Sequence, residues 1–347
     1  MVTAETRHRP NQVGPETKRG LVNTHTPVLL DSIIPAINPS NGKVYVDGTL
    51  GGGGYARALL EAADCIVWGI DRDPDAIQIN TNLADHYEGR LKLVSGHFGN
   101  MQALLSERGV FNADGVTLDL GLSSIQMDNP DRGFAFSQDG PLDMRMDKSG
   151  QSAAELVNFM GEDELADIIY NYGEERMSRH IASAIVKERR KTPIETTGQL
   201  ANIIREVVRS RATKNKSNRN KIDPATRTFQ AIRIKVNDEL SELDRGLDAA
   251  EKILKPGGKL AVVSFHSLED RIVKLFLRKR SGSDARASRH LPEIVSIKEP
   301  TWTLLTKRAI KPSEPEIYKN PRARSARLRV AERTKAPSWG FINEGNE

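Results

Sequence analysis

The chain has 347 residues, 38% of them hydrophobic, and a formal net charge of +5 at pH 7. Its length predicts about two domains with an ordinary core. The single cysteine excludes a disulfide framework and a cysteine-held metal or iron–sulfur cluster, and no apolar run reaches the length of a membrane span. We therefore expect a cytoplasmic enzyme without a resident metal. Residues 1–24 are polar, lack a signal-peptide core, and are expected to form a disordered tail.

The first predicted strand, within Lys43–Asp47, ends in an acid and runs into a glycine-rich turn before a helix. Glycines allow positive φ and close approach of the backbone to a ligand, and the helix that follows directs its free N–H groups at it. The spacing of Gly51, Gly53 and Ala56 also fits a dinucleotide fingerprint, but Asp47 would repel a pyrophosphate. S-adenosylmethionine carries a sulfonium and an ammonium and no phosphate, so the turn favours this methyl donor. A tight turn without a ligand is the alternative.

The second predicted strand, Ile66–Ile70, ends at Asp71, 24 residues after Asp47. An acid at this distance binds the ribose hydroxyls in folds of this kind. Helix capping is the alternative role for Asp71, but the following Asp73, with Pro74 as the first helical residue, is the better cap. The sequence thus leaves Asp71 free for the ligand.

Three further strands are predicted at Leu91–Ser95, Gly115–Leu118 and Leu260–Ser264. The second of these ends in Asp119, so polar groups collect at the carboxyl ends of the strands, where open α/β sheets bind ligands. A helix that ends in a segment such as Leu254–Lys259, directly before the fifth strand, is common in class I methyltransferases. The sheet is similar to that superfamily, and we predict an α/β fold with a doubly wound, Rossmann-like sheet.

The fourth and fifth strands are separated by about 140 residues, which requires an inserted domain because one helix and two loops would suffice there. A capping box at Ser152–Glu155 and apolar residues at helical spacing predict short helices at Glu162–Tyr172, Ser178–Arg190 and Thr197–Val208. A run of seven basic side chains against one acid follows, and it favours a phosphate-binding segment over a solvated loop. Its members are Arg205, Arg209, Arg211, Lys214, Lys216, Arg219 and Lys221.

A long helix is predicted to return the chain to the sheet, from Asp223 as its cap and Pro224 as its first residue to Leu254. Apolar residues recur along it every three or four positions, and we assign this stripe to the core. The last strand is predicted near Leu328–Ala331. The segment Pro321–Ser325 before it either reaches a phosphate or forms an exposed turn, and the sequence does not separate these two interpretations.

Seven motifs along the chain carry a more specific resemblance. They are His25–Leu30, Asp47–Thr49, Leu118–Gln126, Arg132–Phe136, Asp139–Asp147, Ala225–Ala231 and Ser264–Arg271. In these motifs the chain resembles the RsmH (MraW) family, bacterial methyltransferases that modify N4 of a cytosine in 16S ribosomal RNA. The match runs from about His25 to Arg333.

The resemblance implies a class I S-adenosylmethionine-dependent methyltransferase domain at residues 25–140 and 224–334. It also implies an inserted helical domain at residues 141–223 that helps to bind the RNA, and a C-terminal tail at residues 335–347. The implied substrate is a cytosine of the decoding centre in 16S ribosomal RNA, at position 1402, within the small ribosomal subunit. A homodimer is the candidate oligomeric state, and no membrane partner is expected.

Donor-binding positions also follow from the resemblance. Many family members have a histidine after the paired glycines, where this chain has Tyr55. We keep Tyr55 as a donor-contact candidate through its backbone, since a backbone contact survives this change. The other family positions, together with Gly51 of the same turn, fall on Gly53, Gly54, Asp71, Phe98, Asp119 and Gln126.

The chemistry of the residues agrees with N4 as the target. Methylation at C5 of a pyrimidine usually needs a cysteine nucleophile, and the only cysteine, Cys65, is predicted to be a small buried hydrophobe at the start of an inner strand. An exocyclic amine needs only alignment with the methyl group and hydrogen-bond acceptors that favour a tetrahedral nitrogen. Many amino-methyltransferases supply these acceptors from an Asp/Asn-Pro-Pro-Tyr motif after strand four, and this chain lacks the prolines there.

We therefore assign Asp119 to donor binding first and to hydrogen-bond acceptance second. The other catalytic candidates, on the substrate side, are Ser123, Ser124, Asp143 and His266. Three of them have a structural alternative. Ser123 could cap the next turn, Asp143 could pair with Arg145, and His266 could be a satisfied histidine at the end of strand five.

Two questions stay open at the level of sequence. Phe134 and Phe136 could stack on a flipped base or could anchor the inserted domain. The function could also be methylation of another nucleic-acid target, or ribosome assembly by RNA binding without catalysis. The intact glycine turn with Asp71 and Asp119 argues against the non-catalytic alternative.

Overall fold

The computed structural model describes residues 27–211, 223–283 and 298–339. The strands in these ranges are β1 (Val44–Asp47), β2 (Ile66–Asp71), β3 (Leu91–Ser95), β4 (Ala113–Asp119), β5 (Leu254–Ser264), β6 (Trp302–Leu304) and β7 (Arg327–Arg333). They form one sheet in the order β3-β2-β1-β4-β5-β7-β6, parallel from β3 to β5, with β7 antiparallel to both of its neighbours. Strand order reverses between β1 and β4, and such a reversal places a ligand site beyond the carboxyl ends of the strands.

The helices of the described ranges belong to two groups, one packed on the sheet and one inserted between β4 and β5. They are α1 (Leu30–Ile37), α2 (Gly54–Ala62), α3 (Pro74–Ile79), α4 (Thr81–His86), α5 (Met101–Ser106), α6 (Ser124–Asp128), α7 (Ala153–Phe159), α8 (Glu162–Gly173), α9 (Ser178–Arg189), α10 (Thr197–Arg211), α11 (Ala225–Asn237), α12 (Glu239–Ile253), α13 (Ser267–Arg280) and α14 (Glu314–Lys319). Within those ranges, none of the helices combines the length and the apolar character that crossing a bilayer requires.

Both faces of the sheet are covered by helices. Consecutive strand residues point to opposite faces, so Tyr45 packs in one core and Val46 in the other. The first core includes Ile33 of α1 and Leu59 of α2, and the second includes Met101 of α5 and residues of α12 and α13. Parallel strands buried on both faces are apolar along their length, which leaves polar groups to the strand ends. The prediction of an α/β fold with a doubly wound sheet is confirmed.

A third apolar core belongs to the inserted helices. Helices α8, α9 and α10 begin at the predicted residues and end within three residues of the predicted positions. The buried side chains of this core run from Phe134 to Ile232 and include residues of α11. The core therefore extends beyond residues 141–223 on both sides, and the division of the chain into domains stays a prediction.

The prediction of a single helix over residues 223–254 is wrong. The segment forms α11 and α12, separated by Asp238 in the left-handed conformation with φ 49° and ψ 38°, which Asp tolerates better than most residues. The neighbouring Asn237 side chain donates to the carbonyl oxygen of Met144 and accepts from the N–H of Met146, both at 2.8 Å. The break thus binds α11 to the loop before α7. Strand β5 begins directly after α12, six residues earlier than predicted.

Arg132 joins that loop to the sheet. Its side chain is 6% exposed, and Nη1 donates to the carboxylates of Asp73 and Asp75 at 2.8 and 3.0 Å. Nη2 donates to the carbonyl oxygens of Arg145 and Met146 at 3.0 and 2.9 Å. A buried charge is stable only while its partners remain. This cluster therefore fixes the start of the inserted helices relative to the end of β2.

The tight turn after Arg132 leaves no room for a side chain at Gly133. Gly133 has a φ of +69°, and a Cβ there would lie 2.2 Å from the carbonyl oxygen of Pro141 and 2.6 Å from the amide nitrogen of Asp143. Gly133→Ala should lower the free energy of unfolding by about 3 kcal/mol, because left-handed strain adds to backbone overlap. The control is Gly109→Ala, where φ is +75° and no atom lies within 4 Å of the added Cβ. It should cost about 1 kcal/mol in urea unfolding, and equal losses in the two variants would contradict this account.

Candidate active site

A cavity of about 410 Å³ lies at the carboxyl ends of the parallel strands. Its walls include the segment before α1, the loops after β1, β2, β3, β4 and β5, the start of α12, and the turn after α14. This volume is in the range of small-molecule and cofactor sites. Gly53, Asp143 and His266 lie outside the lining. The candidates that line the cavity are Gly51, Gly54, Tyr55, Asp71, Phe98, Asp119, Ser123, Ser124 and Gln126.

The glycine turn fits tightly against its neighbours. Gly53 precedes α2 with a φ of +76°, and a Cβ there would lie 2.1 Å from Oδ1 of Asn80. The Asn80 amide in turn donates to the carbonyl oxygen of Gly51 at 2.8 Å. A Cβ on Gly54 would lie 2.2 Å from Cγ of Pro27. Packing as well as φ therefore requires glycine at position 53, and a donor contact by Gly53 stays a prediction.

Asp47 lies beneath this turn and is fully buried. Oδ2 accepts from the N–H of Ala56 in α2 at 3.1 Å, and Oδ1 accepts from the N–H of Thr49 at 3.4 Å. Burial raises the pKa of Asp47 to about 7, and the charge of Asp71 contributes to the rise. Asp47 is not part of the cavity lining, so it influences a ligand through its charge and through its hold on the turn.

Asp71 lines the cavity and supports the turn from the neighbouring strand. Oδ2 accepts from the N–H of Gly51 at 2.7 Å, and Oδ1 accepts from the N–H of Asp73 at 2.8 Å. Burial raises the pKa of Asp71 to about 6. Asp73 caps α3 through the N–H of Asp75 at 3.0 Å, as predicted. Each oxygen of Asp71 keeps a lone pair for further donors such as ribose hydroxyls.

Ser123 and Gln126 form a capping box at α6. The Ser123 hydroxyl accepts from the N–H of Gln126 at 3.3 Å, and Oε1 of Gln126 accepts from the N–H of Ser123 at 3.1 Å. Nε2 of Gln126 donates to Asp73 at 2.8 Å. The capping alternative for Ser123 is therefore confirmed. Its hydroxyl hydrogen remains a donor on the cavity side of the loop, next to Ser124.

Asp119 lines the cavity at the end of β4. Its backbone N–H donates to Oγ1 of Thr49 at 2.6 Å, but Oδ1 of its carboxylate is buried and lacks a hydrogen-bond partner in the described residues. Burial raises the pKa of Asp119 well above its ordinary range, and the charges of Asp47 and Glu269 raise it further. A buried acceptor without a partner is costly. The cavity therefore suits a ligand that brings a positive charge or a hydrogen-bond donor to this carboxylate.

Two catalytic candidates outside the lining have structural partners. The Asp143 carboxylate pairs with the guanidinium of Arg145, with 2.6 Å between Oδ2 and Nη2. His266 caps α13, with Nδ1 accepting from the N–H of Glu269 at 3.4 Å, while Oε2 of Glu269 accepts from the N–H of Phe265 at 2.8 Å. The pairing given as the structural alternative for Asp143 is confirmed. His266 is a helix cap but not a fully satisfied histidine, because its buried Nε2 has no hydrogen-bond partner in the described residues. Neither side chain is part of the cavity lining, although His266 adjoins Glu239 and Glu269, which are.

The aromatic candidates Phe98 and Tyr55 both combine packing with a place in the cavity lining. Phe98 packs against α12 so closely that a Cβ on Gly246 would lie 2.4 Å from its ring. Tyr55 is 3% exposed, and its hydroxyl donates to the carbonyl oxygen of Val28. Burial raises the pKa of Tyr55, so the phenol stays neutral and remains a donor. Tyr55 thus holds the segment before α1 against the cavity.

Three further residues have structural positions. Phe134 is buried in the third core, and Phe136 packs edge-on against Phe229 with 4.7 Å between ring centroids. This packing favours the anchoring interpretation of both phenylalanines. Cys65 is 2% exposed, with Sγ 3.5 Å from the carbonyl oxygen of Leu59, and burial raises the pKa of its thiol. Because the thiolate is the nucleophilic form, Cys65 acts as a packing residue.

Sequence reasoning missed several polar residues of the cavity. Glu239 begins α12 directly after the unpredicted break at Asp238, and it accepts from Arg233 at 2.7 and 2.8 Å. Glu239, His266 and Glu269 place potential metal-ligand atoms within 4.8 Å of one another, and the Arg233 guanidinium supplies a positive charge there. Only Glu269 and Arg322 lay in segments that the sequence had singled out. The missed charged and amide residues are Arg57, Glu61, Arg72, Glu239, Glu242, Glu269, Asn320 and Arg322.

The basic run of the insertion is only partly described. The Arg205 side chain pairs with Asp223, with 2.9 Å between Nη2 and Oδ2, and Arg209 is exposed near the end of α10. A phosphate-binding role for the run stays a prediction. The predicted tail at residues 1–24 lies outside the described residues, as do the Arg211 side chain and the residues Lys214, Lys216, Arg219 and Lys221.

Comparisons with known proteins place these features in context. The sequence matches the MraW methylase family over residues 22–334. A ribosomal RNA small subunit methyltransferase H from Paramagnetospirillum magneticum is 55% identical over 320 residues, which cover 92% of this chain and 98% of that protein. A protein of the same name from Rhodospirillum rubrum is 53% identical, covering 91% and 96% of the two chains. Another, from Methylorubrum populi, is 53% identical, covering 95% and 92%.

The buried acids predict how stability depends on pH. Folding raises the pKa of Asp47 from 3.8 to about 7 and that of Asp71 from 3.8 to about 6. At pH values between the unfolded and the folded pKa of each acid, the folded protein binds more protons than the unfolded chain. The free energy of unfolding should therefore fall as pH rises from about 4 to about 7, by up to about 1.4 kcal/mol per pH unit for each acid.

Asp47→Asn should flatten this fall because it removes one of the titrating groups. Asp64→Asn is the matched control, since the Asp64 side chain is 81% exposed and precedes the opposite end of β2. Urea unfolding of the ligand-free protein at several pH values measures the effect. Stability that stays constant or rises across this window would contradict the account.

Proposed function

This chain belongs to the MraW methylase family, and we propose that it methylates N4 of a cytosine in 16S ribosomal RNA, at position 1402 of the decoding centre. The named relatives are ribosomal RNA small subunit methyltransferases, which supports ribosomal RNA as the substrate class. The RNA is presented within the small ribosomal subunit. The enzyme works in the cytoplasm, where these subunits are assembled.

The residues of the cavity fit S-adenosylmethionine as the methyl donor, which when bound supplies an electrophilic methyl group on a sulfonium. The observation that carries this assignment is the buried, unpartnered Oδ1 of Asp119. The acids Asp47 and Asp71 lie close by and have raised pKa values. A cationic ligand favours the ionised form of such carboxylates. Asp71 offers lone pairs to ribose hydroxyls, and Phe98 offers an apolar surface to a purine.

Asp119 also serves the substrate amine. The N4 lone pair is delocalised into the ring, so an acceptor that favours a tetrahedral nitrogen lowers the barrier to transfer. Asp119 accepts a hydrogen bond from N4, and it takes the N4 proton once the new carbon–nitrogen bond has formed. Ser123 and Ser124 line the cavity near it and orient the base. This route uses no covalent intermediate, in agreement with the burial of Cys65.

The inserted helices at residues 141–223 contribute contacts to the RNA outside the cavity. The basic run that begins on α10 supports this part of the proposal, because several closely spaced cations attract phosphates in a salt-dependent way. Arg209 is its exposed member in the described range. Arg132 and Asn237 join the loop before the inserted helices to the end of β2 and to α11, which fixes the insertion relative to the methyltransferase sheet.

A first test concerns donor binding. Asp71→Ala should weaken S-adenosylmethionine binding by about 1.5–3 kcal/mol, the scale of a hydrogen bond to a charged group. Asp64→Ala is the control because it removes an exposed acid at the other end of the same strand. Calorimetry measures the affinities, and thermal unfolding checks that the variant is folded. An unchanged affinity in Asp71→Ala would remove this residue from the donor site.

A second test concerns the reaction. With tritiated donor and small subunits that lack the modification, the protein should place label on one cytosine, recovered as N4-methylcytidine. Asp119→Asn should lower kcat at least about 100-fold, because an amide lacks the negative charge of the carboxylate and cannot take the N4 proton. Cys65→Ala should stay within about 2-fold of wild type, since burial makes this residue part of the packing. A ring-carbon methyl product, or a folded but inactive Cys65→Ala, would contradict the mechanism.

A further inference from the structure

A surface beside the cavity extends the substrate site. We define the C-terminal rim as residues 314–325, which comprise α14 and the turn after it. We propose that this rim binds single-stranded ribosomal RNA next to the target cytosine, with Tyr318 stacking on a flanking base and Arg322 contacting a phosphate. This inference rests on the proposed function, since it assigns a further part of the same substrate to a further part of the protein.

The rim is continuous with the cavity. Asn320 and Arg322 contribute to the cavity wall, together with the loop after β4 that contains Ser123. Tyr318 precedes Asn320 by two residues, at the end of α14. Enzymes that modify a base take it out of the stack into a pocket, which leaves the flanking nucleotides at the pocket mouth. The flanking nucleotides therefore lie within reach of the rim.

The inner side of the rim is anchored to the methyltransferase sheet. Oε1 of Glu316 accepts from the N–H of Leu29 at 2.6 Å. Ala323 is buried in the core that α1 and α2 form on the sheet, and Oδ1 of Asn320 accepts from the N–H of Arg322 at 3.2 Å. These contacts fix the outward side of the rim before any ligand arrives. Preorganisation of this kind lowers the ordering cost of binding.

Tyr318 is an aromatic residue on the outer side of the rim whose exposure does not contribute to folding. Its side chain is 89% exposed, the highest value among the large hydrophobic residues of the described ranges. Unpaired RNA bases stack on exposed aromatic faces, and this contact tolerates different base identities. Phe111 is also exposed, at 66%, but it lies just before β4, at the amino-terminal ends of the parallel strands and so opposite to the cavity. Phe111 therefore provides a matched control.

The charge around the rim suits a phosphate backbone. Residues 305–324 contain six basic residues and two acids, and one of these acids, Glu316, is held by Leu29. Arg322 pairs with Asp128 at 2.6 Å, and their side chains are 49% and 63% exposed. An exposed pair of this kind contributes little, so a phosphate can replace Asp128 as the partner. The basic residues, all exposed, are Lys307, Arg308, Lys311, Lys319, Arg322 and Arg324.

The test compares Tyr318→Ala and Arg322→Ala with Phe111→Ala and Arg108→Ala, whose side chains lie at the opposite edge of the sheet. Methylation of unmodified small subunits is measured at several salt concentrations. Tyr318→Ala should raise KM for the subunit about 10-fold through loss of stacking. Arg322→Ala should raise KM and reduce the slope of log KM against log salt by about one. For Tyr318→Ala, which lies outside the cavity lining, kcat and the Kd for S-adenosylmethionine should match wild type, as should every parameter of the controls.

Unchanged KM and salt slope in both rim variants would overturn the inference while leaving the proposed function intact. The proposed function fails separately if the wild-type protein places no N4-methyl group on the subunit. A second measurement uses protein-free 16S RNA, for which the rim variants should also lose affinity. If KM on subunits rises but affinity for the free RNA is unchanged, the rim contacts a ribosomal protein, and the inference is overturned.

Discussion

Three carboxylates at the ends of three adjacent parallel strands determine which ligands the cavity can bind. Asp71, Asp47 and Asp119 close β2, β1 and β4, which lie side by side in the sheet. Because parallel strands share one carboxyl edge, the fold cannot separate these acids. Burial raises the pKa of each of them. In the ligand-free protein the ionised forms of these acids are therefore unfavourable, and a cationic ligand makes them more favourable. This links the sheet directly to the chemistry of a sulfonium donor.

The same acids shape the surrounding structure. Asp47 holds the first turn of α2 and Asp71 holds Gly51, so the glycine turn depends on both. Asp73 accepts from Gln126 and from Arg132, each at 2.8 Å. The loops after β2 and β4 and the start of the inserted helices thus meet at one buried carboxylate. The donor side and the substrate side of the cavity are parts of one hydrogen-bonded unit, and a change at one side is expected to affect the other.

Sequence reasoning succeeded where the signal was local. An apolar strand that ends in an acid before glycines predicted β1 and its turn, β3 has the predicted bounds, and the motifs gave the family that the comparisons confirm. It failed where the signal was tertiary. Apolar residues keep their spacing of three or four positions across the break at Asp238, so the periodicity of the sequence could not reveal the break. Glu239 and Arg322 reach the cavity from distant parts of the chain, whereas His266 has a reactive side chain but is used in a helix cap.

The central claim is that burial favours the protonated forms of the three acids in the free protein, and that a cationic donor shifts them toward their ionised forms. Calorimetric titration with S-adenosylmethionine at about pH 6.5, in buffers of different ionisation enthalpy, tests it most directly because the buffer dependence counts the protons released. The account predicts net proton release on binding, and less release with S-adenosylhomocysteine, which lacks the sulfonium charge. Binding heats that do not depend on the buffer, or equal release with both ligands, would contradict it.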